Sequence, residues 1–499
     1  MRDLAGWVER HAACWPDKMA LDSVDGGLSY AALAGRIARL ADWLTKEQGL
    51  APGSRVAWLG WNSPDLIALL LACAHTRMVL VPLNWRLATA ELSRILVDAA
   101  IGLLVVDDNC REAGMALAHP RTVSHGRLTR DGAGSLPTDG AAAAPAARDV
   151  DPETALLLVY TSGTTGQPRG AMLSQGAVLF NALNAVHMHD LTAADRVLTV
   201  LPMFHVGGLN IQTLPALYCG ASVCIESRFS PAPTLERIET WRPTLTTLVP
   251  AMIAALREHP LWPRADLTAL RAVATGSTDV PRAALLAFHE RGIPVVQIYG
   301  ATETGPVAIY QRSEEAYATA GAIGRAGLHT DIRLIDQSGK DVGPGRAGEI
   351  LVRGPHLASG YWNAAAGGVD ALAEDGWFKT GDVAERDDGG LYRFKDRIKH
   401  VIISGGENIY PAELERILAA SPLLQEAAIA ARADERWGEV PMVIAVRRQA
   451  DVTEREVLAL FDGQVARYKR PHGVVFVEAL PRTALGKVEV ARLRQLARL

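Results

Sequence analysis

The sequence lacks any hydrophobic run long enough to cross a membrane. Its longest strongly apolar run extends from Leu66 to Ala74 and is interrupted by His75, well short of the roughly 20 residues that a bilayer requires. The N-terminal segment is charged at Glu9 and Arg10 and has no apolar signal core. We therefore expect neither a transmembrane helix nor secretion.

The sequence also has little net charge and few cysteines. Its 51 lysines and arginines nearly balance 55 acidic residues, for a net charge of -4, so we expect no basic surface that gathers nucleic acid. A reducing, cytoplasmic location fits the cysteines best, since they are odd in number and form no Cys-x-x-Cys pair. There are five: Cys14, Cys73, Cys110, Cys219 and Cys224.

Short apolar strands alternate with helical stretches along most of the 499 residues, which predicts an α/β fold of several domains or subdomains. We expect βα units before about residue 106 and again from about 197 to 300. From about 323 to 394, short strands separated by Gly and Asp predict a β-rich subdomain. After Asp396, about 100 residues are enough for a small domain. We predict a large N-terminal domain of mixed sheets flanked by helices (1–396) and a small α+β domain (397–499).

The most informative motif is the segment from Tyr160 to Gly170, which is suited to wrapping an anion. It contains three glycines, four Ser/Thr hydroxyls and Arg169, so backbone amides can approach a polyphosphate closely while a cation faces it. The apolar stretch Ala155 to Val159 predicts a buried strand just before it, which places the loop at a sheet edge. It is not a Walker loop, because no Gly-Lys-Ser/Thr triplet follows. A flexible linker is the alternative.

A second motif, from Tyr299 to Thr304, follows a predicted strand that ends at Ile298. Such a loop can present a ring to a base, a hydroxyl to a phosphate oxygen and the Glu303 carboxylate to Mg²⁺. The alternative is a plain turn with a capping threonine. Taken alone, this motif does not decide between the two.

Three further motifs lie nearer the C-terminus. Asp382 follows a glycine, and its short side-chain carboxylate is suited to accept hydrogen bonds from ribose hydroxyls. The alternative is a solvated turn, where Gly-Asp is usually found. The segment from Ser404 to Pro411 predicts a glycine turn that leads into a helix opened by Pro411. The last motif ends at Lys487, a residue that would ordinarily be solvated. None of these three motifs is specific alone.

In this order and approximate spacing, the five motifs resemble the adenylate-forming (AMP-binding) superfamily, in its acyl-CoA and aryl-CoA synthetase branch, over essentially the whole chain. The resemblance implies an AMP-forming ligase that activates a carboxylic acid with ATP to an acyl-adenylate and pyrophosphate. Transfer of the acyl group to CoA would follow. A stand-alone adenylation enzyme that loads a carrier protein is the alternative.

The resemblance also implies roles for individual residues. In the phosphate loop Arg169 stands where the family usually has lysine, which keeps the charge but changes its geometry. Glu303 would bind Mg²⁺, and Lys487 would bridge the substrate carboxylate and the α-phosphate. The implied catalytic residues are Lys487, Glu303, His205 and Thr302. The implied ATP site comprises Thr161, Ser162, Gly163, Thr164, Thr165, Gly166 and Arg169 for phosphates, Tyr299 for adenine, Thr302 for the α-phosphate, Asp382 and Arg397 for ribose, and Lys487.

In such enzymes the C-terminal domain is mobile and serves both half-reactions. The resemblance implies rotation about a hinge near Arg397, Ile398 and Lys399, which brings either Lys487 or a CoA (thiolation) loop to the active site. His400 replaces an aspartate found in many relatives, so the hinge position transfers only approximately. The family contains both monomers and homodimers. The implied thiolation loop is Ser404, Gly405 and Gly406.

The segment from Leu201 to Asn210 matches the family's stretch beside the acyl pocket. His205 would line or gate the carboxylate end, with an ordinary buried histidine as the alternative. The segment has no aspartate to hold an amino group, which argues against amino acids. As the expected substrate, fatty acids and hydroxycinnamate-type aromatic acids are ranked equally, and malonate-like acids are ranked below both. The implied pocket residues are His205, Gly207, Gly208, Gly276, Ala301 and Val307.

Overall fold

A computed structural model describes residues 1–124, 148–162, 168–276, 280–363, 375–404, 407–434, 437–465, 467–482 and 488–498. The chain divides into two compact units. One comprises 1–332 with 352–378, and the other comprises 333–351 with 379–499. The mixed α/β architecture predicted from the sequence is confirmed. The predicted boundary at 396 and the mobility of the C-terminal domain stay predictions.

The larger unit contains two mixed sheets. In the first, the neighbouring strands within the described residues are Arg325–Ala326, Ile309–Tyr310, Val295–Tyr299, Ala272–Gly276, Leu245–Thr247, Arg196–Thr199, Ser222–Ile225, Met19–Asp22 and Leu28–Ser29. The central strands are parallel, while Ile309–Tyr310 is antiparallel to Val295–Tyr299. Strands such as Ala272–Gly276 are buried along their whole length, as parallel strands covered on both faces are.

The second sheet carries the phosphate-loop motif. Its described strands, in spatial order, are Gly360–Tyr361, Pro168–Ser174, Ala155–Ser162, Val79–Leu83, Arg55–Leu59, Leu103–Val106 and Thr122–Ser124. The strand predicted over Ala155 to Val159 is thus present and extends three residues further, to Ser162. It forms an antiparallel pair with Pro168–Ser174. The two ends of the predicted anion loop are therefore held side by side.

Helices pack around these sheets. The apolar run that begins at Leu66 lies in the helix Pro64–Thr76, which is buried from Leu66 to its end and is capped by the Ser63 side chain. In the described ranges, no helix has the length and apolar character that a membrane crossing demands. Within the described residues, the α-helices of this unit are Ala5–Cys14, Tyr30–Asp42, Pro64–Thr76, Thr89–Asp98, Arg111–Ala116, Gln175–His189, Val206–Asn210, Thr213–Cys219, Pro231–Trp241, Pro250–Glu258 and Arg282–His289.

The second unit has two sheets of its own, and the β-rich texture predicted from about residue 323 corresponds to the first. The strands of that sheet, in spatial order, are Asp331–Ile335, Ala347–Arg353, Phe378–Arg386 and Tyr392–Arg397. A few residues at the ends of these strands are assigned to the larger unit. The other orders Glu407–Ile409, Ile402–Ser404, Gly438–Arg447 and Leu424–Asp434, with Val474–Phe476 parallel to Gly438–Arg447. The helices described here are Pro411–Ala419, Glu454–Ala459 and Val490–Leu496.

Candidate active site

The two strands that flank the anion loop bring its first and last residues together. Thr161 lies opposite Arg169 in the antiparallel pair, and the Thr161 hydroxyl donates to the Arg169 carbonyl at 3.4 Å. Ser162 lies opposite Pro168. The middle of the predicted phosphate site, Gly163, Thr164, Thr165 and Gly166, lies outside the described residues.

The base of this hairpin is fixed by side chains that the motif alone does not reveal. The Tyr160 hydroxyl donates to the Asp98 carboxylate, and Trp362 donates from its ring nitrogen to the Asp98 carbonyl at 2.8 Å. Gly170 lies opposite Tyr160, and a Cβ there would stand 2.7 Å from Leu158. A side chain at the last glycine of the motif would therefore require Leu158 to move.

Arg169 and Glu303, which are far apart in sequence, both contact Tyr361. The Tyr361 hydroxyl donates to Oε1 of Glu303 at 2.6 Å, and the guanidinium of Arg169 lies over the Tyr361 ring, 5.6 Å from its centroid. Burial raises the pKa of Tyr361, and the Glu303 carboxylate raises it further, so the hydroxyl remains a donor. The structure therefore brings the predicted phosphate-binding cation and the predicted metal-binding carboxylate to one tyrosine.

The loop that carries Glu303 follows the strand Val295–Tyr299 as predicted, although the strand includes Tyr299 itself. Gly300 is required there, because a Cβ would stand 1.8 Å from the Pro306 carbonyl oxygen. The amide of Ala301 donates to the Thr304 hydroxyl at 2.8 Å, which closes the short 3-10 turn Thr302–Thr304. The segment is thus a turn closed by a threonine hydroxyl, as the alternative interpretation expected. Such a turn can still present the Glu303 side chain to a ligand.

Buried amide side chains hold the back of this loop. Asn181 accepts from the Val307 amide at 2.9 Å, and Asn210 donates to the Gly305 carbonyl at 2.7 Å. Asn181 in turn donates to the Asn210 carbonyl at 2.7 Å. Because each partner is buried and hydrogen-bonded, the loop that presents Glu303 has little freedom to move.

A buried histidine supports the same loop. Nδ1 of His356 donates to the Thr304 carbonyl at 2.9 Å, and Nε2 accepts from the Thr330 hydroxyl at 2.8 Å. Burial lowers the pKa of His356 to about 4. The imidazole is therefore neutral at physiological pH, with its one proton committed to Thr304.

The predicted acid-binding segment lies at the start of a short helix. His205 precedes the helix Val206–Asn210, and its ring lies 4.5 Å from that of Phe204. Gly207 and Gly208 line a small cavity together with Leu201 and Gln212. Gly208 has no room for a side chain, since a Cβ would stand 2.4 Å from the Pro202 carbonyl oxygen.

The other predicted pocket residues lie on different elements of the same unit. Gly276 ends the strand Ala272–Gly276, where a Cβ would stand 2.4 Å from the Ile298 carbonyl oxygen. Ala301 lies in the Glu303 loop, and Val307 is fully buried behind it. Gly276 and Val307 are thus placed by packing, so their contact with an acid stays a prediction.

The remaining predicted residues belong to the second unit. Asp382 lies opposite Arg397 in an antiparallel strand pair, and the two side chains form a 3.2 Å ion pair. Asp382 is 9% exposed and lies within a strand, so a solvated turn is the wrong interpretation of Gly-Asp here. Ser404 is buried at the end of the strand Ile402–Ser404. Gly405, Gly406 and Lys487 lie outside the described residues.

The hinge motif contains a structural carboxylate next to Arg397. Asp396 accepts from the Arg397 amide at 2.7 Å and from the Ala412 amide at 2.8 Å, which satisfies a donor in the first turn of the helix Pro411–Ala419. His400 lies 3.6 Å from the same carboxylate. The helix opened by Pro411 is confirmed.

Sequence reasoning missed Tyr361, Asn181 and His356, which position the Glu303 loop. Their contacts join residues that are 58, 126 and 52 positions apart. No local spacing predicts such pairs. The one available signal was compositional, since asparagine and histidine in otherwise apolar segments indicate buried polar partners.

Comparison with known proteins gives two family matches. A model described as AMP-binding enzyme matches residues 8–362, and one described as AMP-binding enzyme C-terminal domain matches residues 413–487. The chain is 45% identical to an indoleacetate–CoA ligase of Aromatoleum aromaticum and 38% identical to a feruloyl-CoA synthase of an Amycolatopsis species. Each alignment covers 99% of this chain and 98% of the relative.

Two further similarities bear on substrate and ligands. A long-chain-fatty-acid–CoA ligase of Mycobacterium tuberculosis is 33% identical, over 98% of both chains. The fold is similar to that of o-succinylbenzoate coenzyme A synthetase from Bacillus subtilis in complex with ATP and a magnesium ion. The TM-score is 0.84 at 28% identity, and the match covers 100% of this chain and 99% of the other.

Proposed function

The chain belongs to the family of AMP-binding enzymes, and from that premise we propose that it is an AMP-forming CoA ligase for aromatic carboxylic acids. The superfamily and the CoA-ligase branch predicted from the five motifs are confirmed by the family matches and the full-length relatives. The chain is an acid–CoA ligase that activates its acid with ATP and then transfers the acyl group to CoA.

The choice of an aromatic acid rests on the order of the similarities. The relatives named for indoleacetate and ferulate share 45% and 38% of residues with this chain. The relative named for long-chain fatty acids shares 33%. Since pocket residues diverge as substrates change, this order supports an aromatic acid over a fatty acid, which the sequence motifs left level.

In the first half-reaction, a carboxylate oxygen of the acid attacks the α-phosphorus of ATP, and the bond to the bridging oxygen of pyrophosphate breaks. The reaction brings two anions together, so catalysis depends on positioning and on neutralising charge. Arg169 supplies a fixed cation at the end of the anion hairpin. We propose that it binds the departing pyrophosphate, and that Tyr299 and Thr302 contact the adenine ring and the α-phosphate.

We propose that Glu303 holds Mg²⁺. Oε1 of Glu303 accepts from Tyr361, and the described residues contain no cluster of three metal-ligating side chains. One carboxylate together with substrate phosphates is a usual ligand set for Mg²⁺. The ion would neutralise phosphate charge, and Tyr361 would orient the carboxylate toward it.

In the second half-reaction, the CoA thiolate attacks the carbonyl carbon of the adenylate, and AMP leaves. The roles of Asp382 and Arg397 at the ribose, of Lys487 in adenylation and of the loop at Ser404, Gly405 and Gly406 in thiolation are proposals from the family resemblance. The role of His205 at the carboxylate end of the acid is also a proposal from the family resemblance. Loading of a separate carrier protein is a weaker candidate, because every relative compared above is named for CoA.

Cellular location and assembly are also proposals. All five cysteines, which lie in the described part of the chain, are free thiols, and we propose the cytoplasm on that basis. We propose that the enzyme acts as a monomer or a homodimer and needs no nucleic acid.

The test is acid-dependent pyrophosphate release by the purified chain with ATP and Mg²⁺. We would compare acetate, decanoate, ferulate and indole-3-acetate, then add CoA or a phosphopantetheinylated carrier protein and measure thioester. We expect the highest kcat/KM with an aromatic acid and thioester on CoA. Equal or better turnover of decanoate would refute the aromatic assignment, and thioester on the carrier alone would refute CoA.

A further inference from the structure

The helix Thr89–Asp98 ends in an aspartate that the helix itself disfavours. Asp98 is the last residue of the helix, and the last turn contains no basic residue. A carboxylate at the C-terminal end of a helix lies at the negative end of the helix dipole, which is unfavourable. Helix stability therefore does not account for an acid at this position, and the contacts of Asp98 outside the helix do.

The first of these contacts is with the anion-loop motif. The Tyr160 hydroxyl donates to the Asp98 carboxylate. Burial raises the pKa of Tyr160, and the bond to Asp98 raises it further, so the hydroxyl stays protonated and remains a donor. A hydrogen bond to an ionised acceptor is stronger than one between neutral groups. The end of the helix thus holds the first residue of the motif.

The same aspartate is connected to the other strand of the hairpin. Gly170 lies opposite Tyr160, and a Cβ on Gly170 would stand 3.1 Å from Cζ of the Tyr160 ring, so this ring lies across the second strand. The Trp362 amide donates to the Gly170 carbonyl at 2.7 Å, and the Trp362 ring nitrogen donates to the Asp98 carbonyl at 2.8 Å. Both strands are therefore tied to Asp98, one through Tyr160 and one through Trp362.

The turn that follows Asp98 is itself fixed. Arg55 donates to the carbonyls of Ala99 and Ala100, each at 2.8 Å, and its guanidinium lies 5.1 Å from the centroid of the Trp362 ring. Ala100 has a φ of +46°, a left-handed conformation that is costly for alanine. Such a residue persists only where its surroundings hold it in place. Asp98 is therefore a fixed anchor for the hairpin.

The anchored pair of residues lies next to the pair proposed to bind phosphates. Thr161 and Arg169 face each other one position further along the hairpin than Tyr160 and Gly170. Successive side chains of a strand point to opposite faces, so Tyr160 does not share the face of Thr161. Tyr160 would act on ATP through the position of the backbone. Displacing a binding group by about 1 Å can cost up to about 100-fold in rate.

We propose that Asp98 is a positioning residue for adenylation, which holds the anion hairpin, through Tyr160 and Trp362, in the geometry that receives the phosphates of ATP. This inference rests on the proposed function, since it assumes that the hairpin binds phosphate. It adds a residue that lies outside the five motifs and acts through other residues. Because pyrophosphate leaves before CoA reacts, the contact affects adenylation and not thioester formation.

Two substitutions separate the half-reactions. Tyr160→Phe removes the hydroxyl and keeps the ring over Gly170, and Asp98→Ala removes the acceptor. For each variant we would measure acid-dependent pyrophosphate release at varied ATP, and thioester formation from supplied acyl-adenylate and CoA. We expect kcat/KM for ATP to fall about fivefold or more, mainly through KM. Thioester formation from the supplied adenylate should stay within about twofold of the wild type.

The reverse reaction and the double variant add two independent checks. The KM for pyrophosphate, measured as ATP formation from acyl-adenylate and pyrophosphate, should rise in parallel with the KM for ATP. The double variant Tyr160→Phe with Asp98→Ala should lose no more than the more impaired single variant, because both substitutions remove the same bond. Fully additive losses would show that the two residues act separately, and the proposal would be wrong.

Asp266→Ala is the matched control. Asp266 is also an exposed aspartate of the larger unit that accepts from a side-chain hydroxyl, that of Thr268 at 2.6 Å, and it has no proposed role. We expect this variant to keep the wild-type kcat/KM for ATP.

Two results with Tyr160→Phe would overturn the proposal: unchanged kinetics with ATP, or an equal loss in both half-reactions, which would indicate a general structural defect. If Asp98→Ala does not fold, Tyr160→Phe decides the question alone. Failure of the wild type to release pyrophosphate with any acid would instead refute the proposed function, which separates the two failures.

Discussion

Tyr361 donates a 2.6 Å hydrogen bond to the carboxylate of Glu303, across 58 residues of sequence. The same ring lies beneath the guanidinium of Arg169. Tyr361 belongs to a two-residue edge strand that pairs with Pro168–Ser174, with Tyr361 opposite Ala171. A tyrosine at a sheet edge thus connects the end of the anion loop to the loop that presents the predicted Mg²⁺ ligand.

We predict that Tyr361→Phe weakens the use of Mg·ATP while leaving the fold intact. The ring beneath Arg169 remains, but Glu303 loses the donor that orients it. A hydrogen bond to a charged group contributes about 1.5 kcal/mol or more, which corresponds to a loss of roughly tenfold in kcat/KM for ATP. The Mg²⁺ concentration for half-maximal activity should rise, since Tyr361 is a positioning residue for the carboxylate.

Tyr317→Phe provides the control, because Tyr317 is 49% exposed and has no proposed role. Its Mg²⁺ titration should match that of the wild type. An unchanged Mg²⁺ titration in Tyr361→Phe would contradict the positioning role even if overall activity fell, because a purely structural defect would lower activity without shifting the ion requirement.

We predict that Arg169→Lys raises the KM for ATP by about fivefold with little change in kcat. Lysine keeps the charge but loses the planar stacking on Tyr361, and such cation–π contacts contribute about 1 kcal/mol. Initial rates at varied ATP give the result. Arg353→Lys is the matched control, since Arg353 stacks on Trp377 at 4.6 Å and has no proposed ligand. Kinetics identical to the wild type would make arginine at 169 a neutral replacement of the family's lysine.

The fold and the ends of the candidate site were predictable because their signals are local. The strand predicted over Ala155 to Val159 is present and leads into the anion loop, and the Glu303 loop follows the strand that was predicted to end at Ile298. The second strand of the hairpin, Pro168–Ser174, was not predicted. Tyr361 was not predictable, because its importance comes from the pairing of Gly360–Tyr361 with a strand nearly 200 residues earlier. The Gln212 amide, which has no hydrogen-bond partner among the described residues, is likewise a product of packing, since the sequence cannot show which buried polar groups are paired.

The two glycines after His205 should respond oppositely to alanine. At Gly207 a Cβ would meet Leu201 and Ile211 at 3.7 and 3.9 Å, which is ordinary contact. Alanine favours a helix over glycine by up to about 1 kcal/mol, so Gly207→Ala should be at least as stable as the wild type. At Gly208 the Cβ would meet the Pro202 carbonyl oxygen at 2.4 Å. Gly208→Ala should therefore lower the unfolding free energy by about 1–3 kcal/mol.

Urea unfolding of both variants checks these stabilities, and kinetics check the acid pocket. Because Gly207 lines the cavity, its new methyl group should reduce kcat/KM for ferulate more than for propionate, by a few-fold. Wild-type stability of Gly208→Ala would contradict the packing argument. An unchanged ratio of ferulate to propionate in Gly207→Ala would contradict the placement of the acid.

The buried imidazole of His356 should make the larger unit less stable in mild acid. Its pKa is lowered to about 4 by burial, against about 6.5 in an unfolded chain. Between these values the unfolded chain binds a proton that the folded chain does not. Stability is therefore fully present above pH 6.5 and is lost as the pH falls toward 4, by up to about 3 kcal/mol for this one group. His189, whose pKa burial lowers to about 3, acts in the same direction.

We predict that His356→Gln is less stable than the wild type at pH 7.5, because Thr304 and Thr330 lose their partner, but that its unfolding free energy falls less between pH 7 and pH 4.5. Urea unfolding at several pH values gives both quantities. The diagnostic quantity is the slope of the unfolding free energy against pH. Only removal of a titrating group changes this slope, whereas a packing defect lowers the unfolding free energy by the same amount at every pH. His472→Gln, at an exposed position, should retain the wild-type slope. If the slopes of wild type and His356→Gln coincide, His356 is not protonated on unfolding over this range and its neutral, Thr304-bonded state is the wrong assignment.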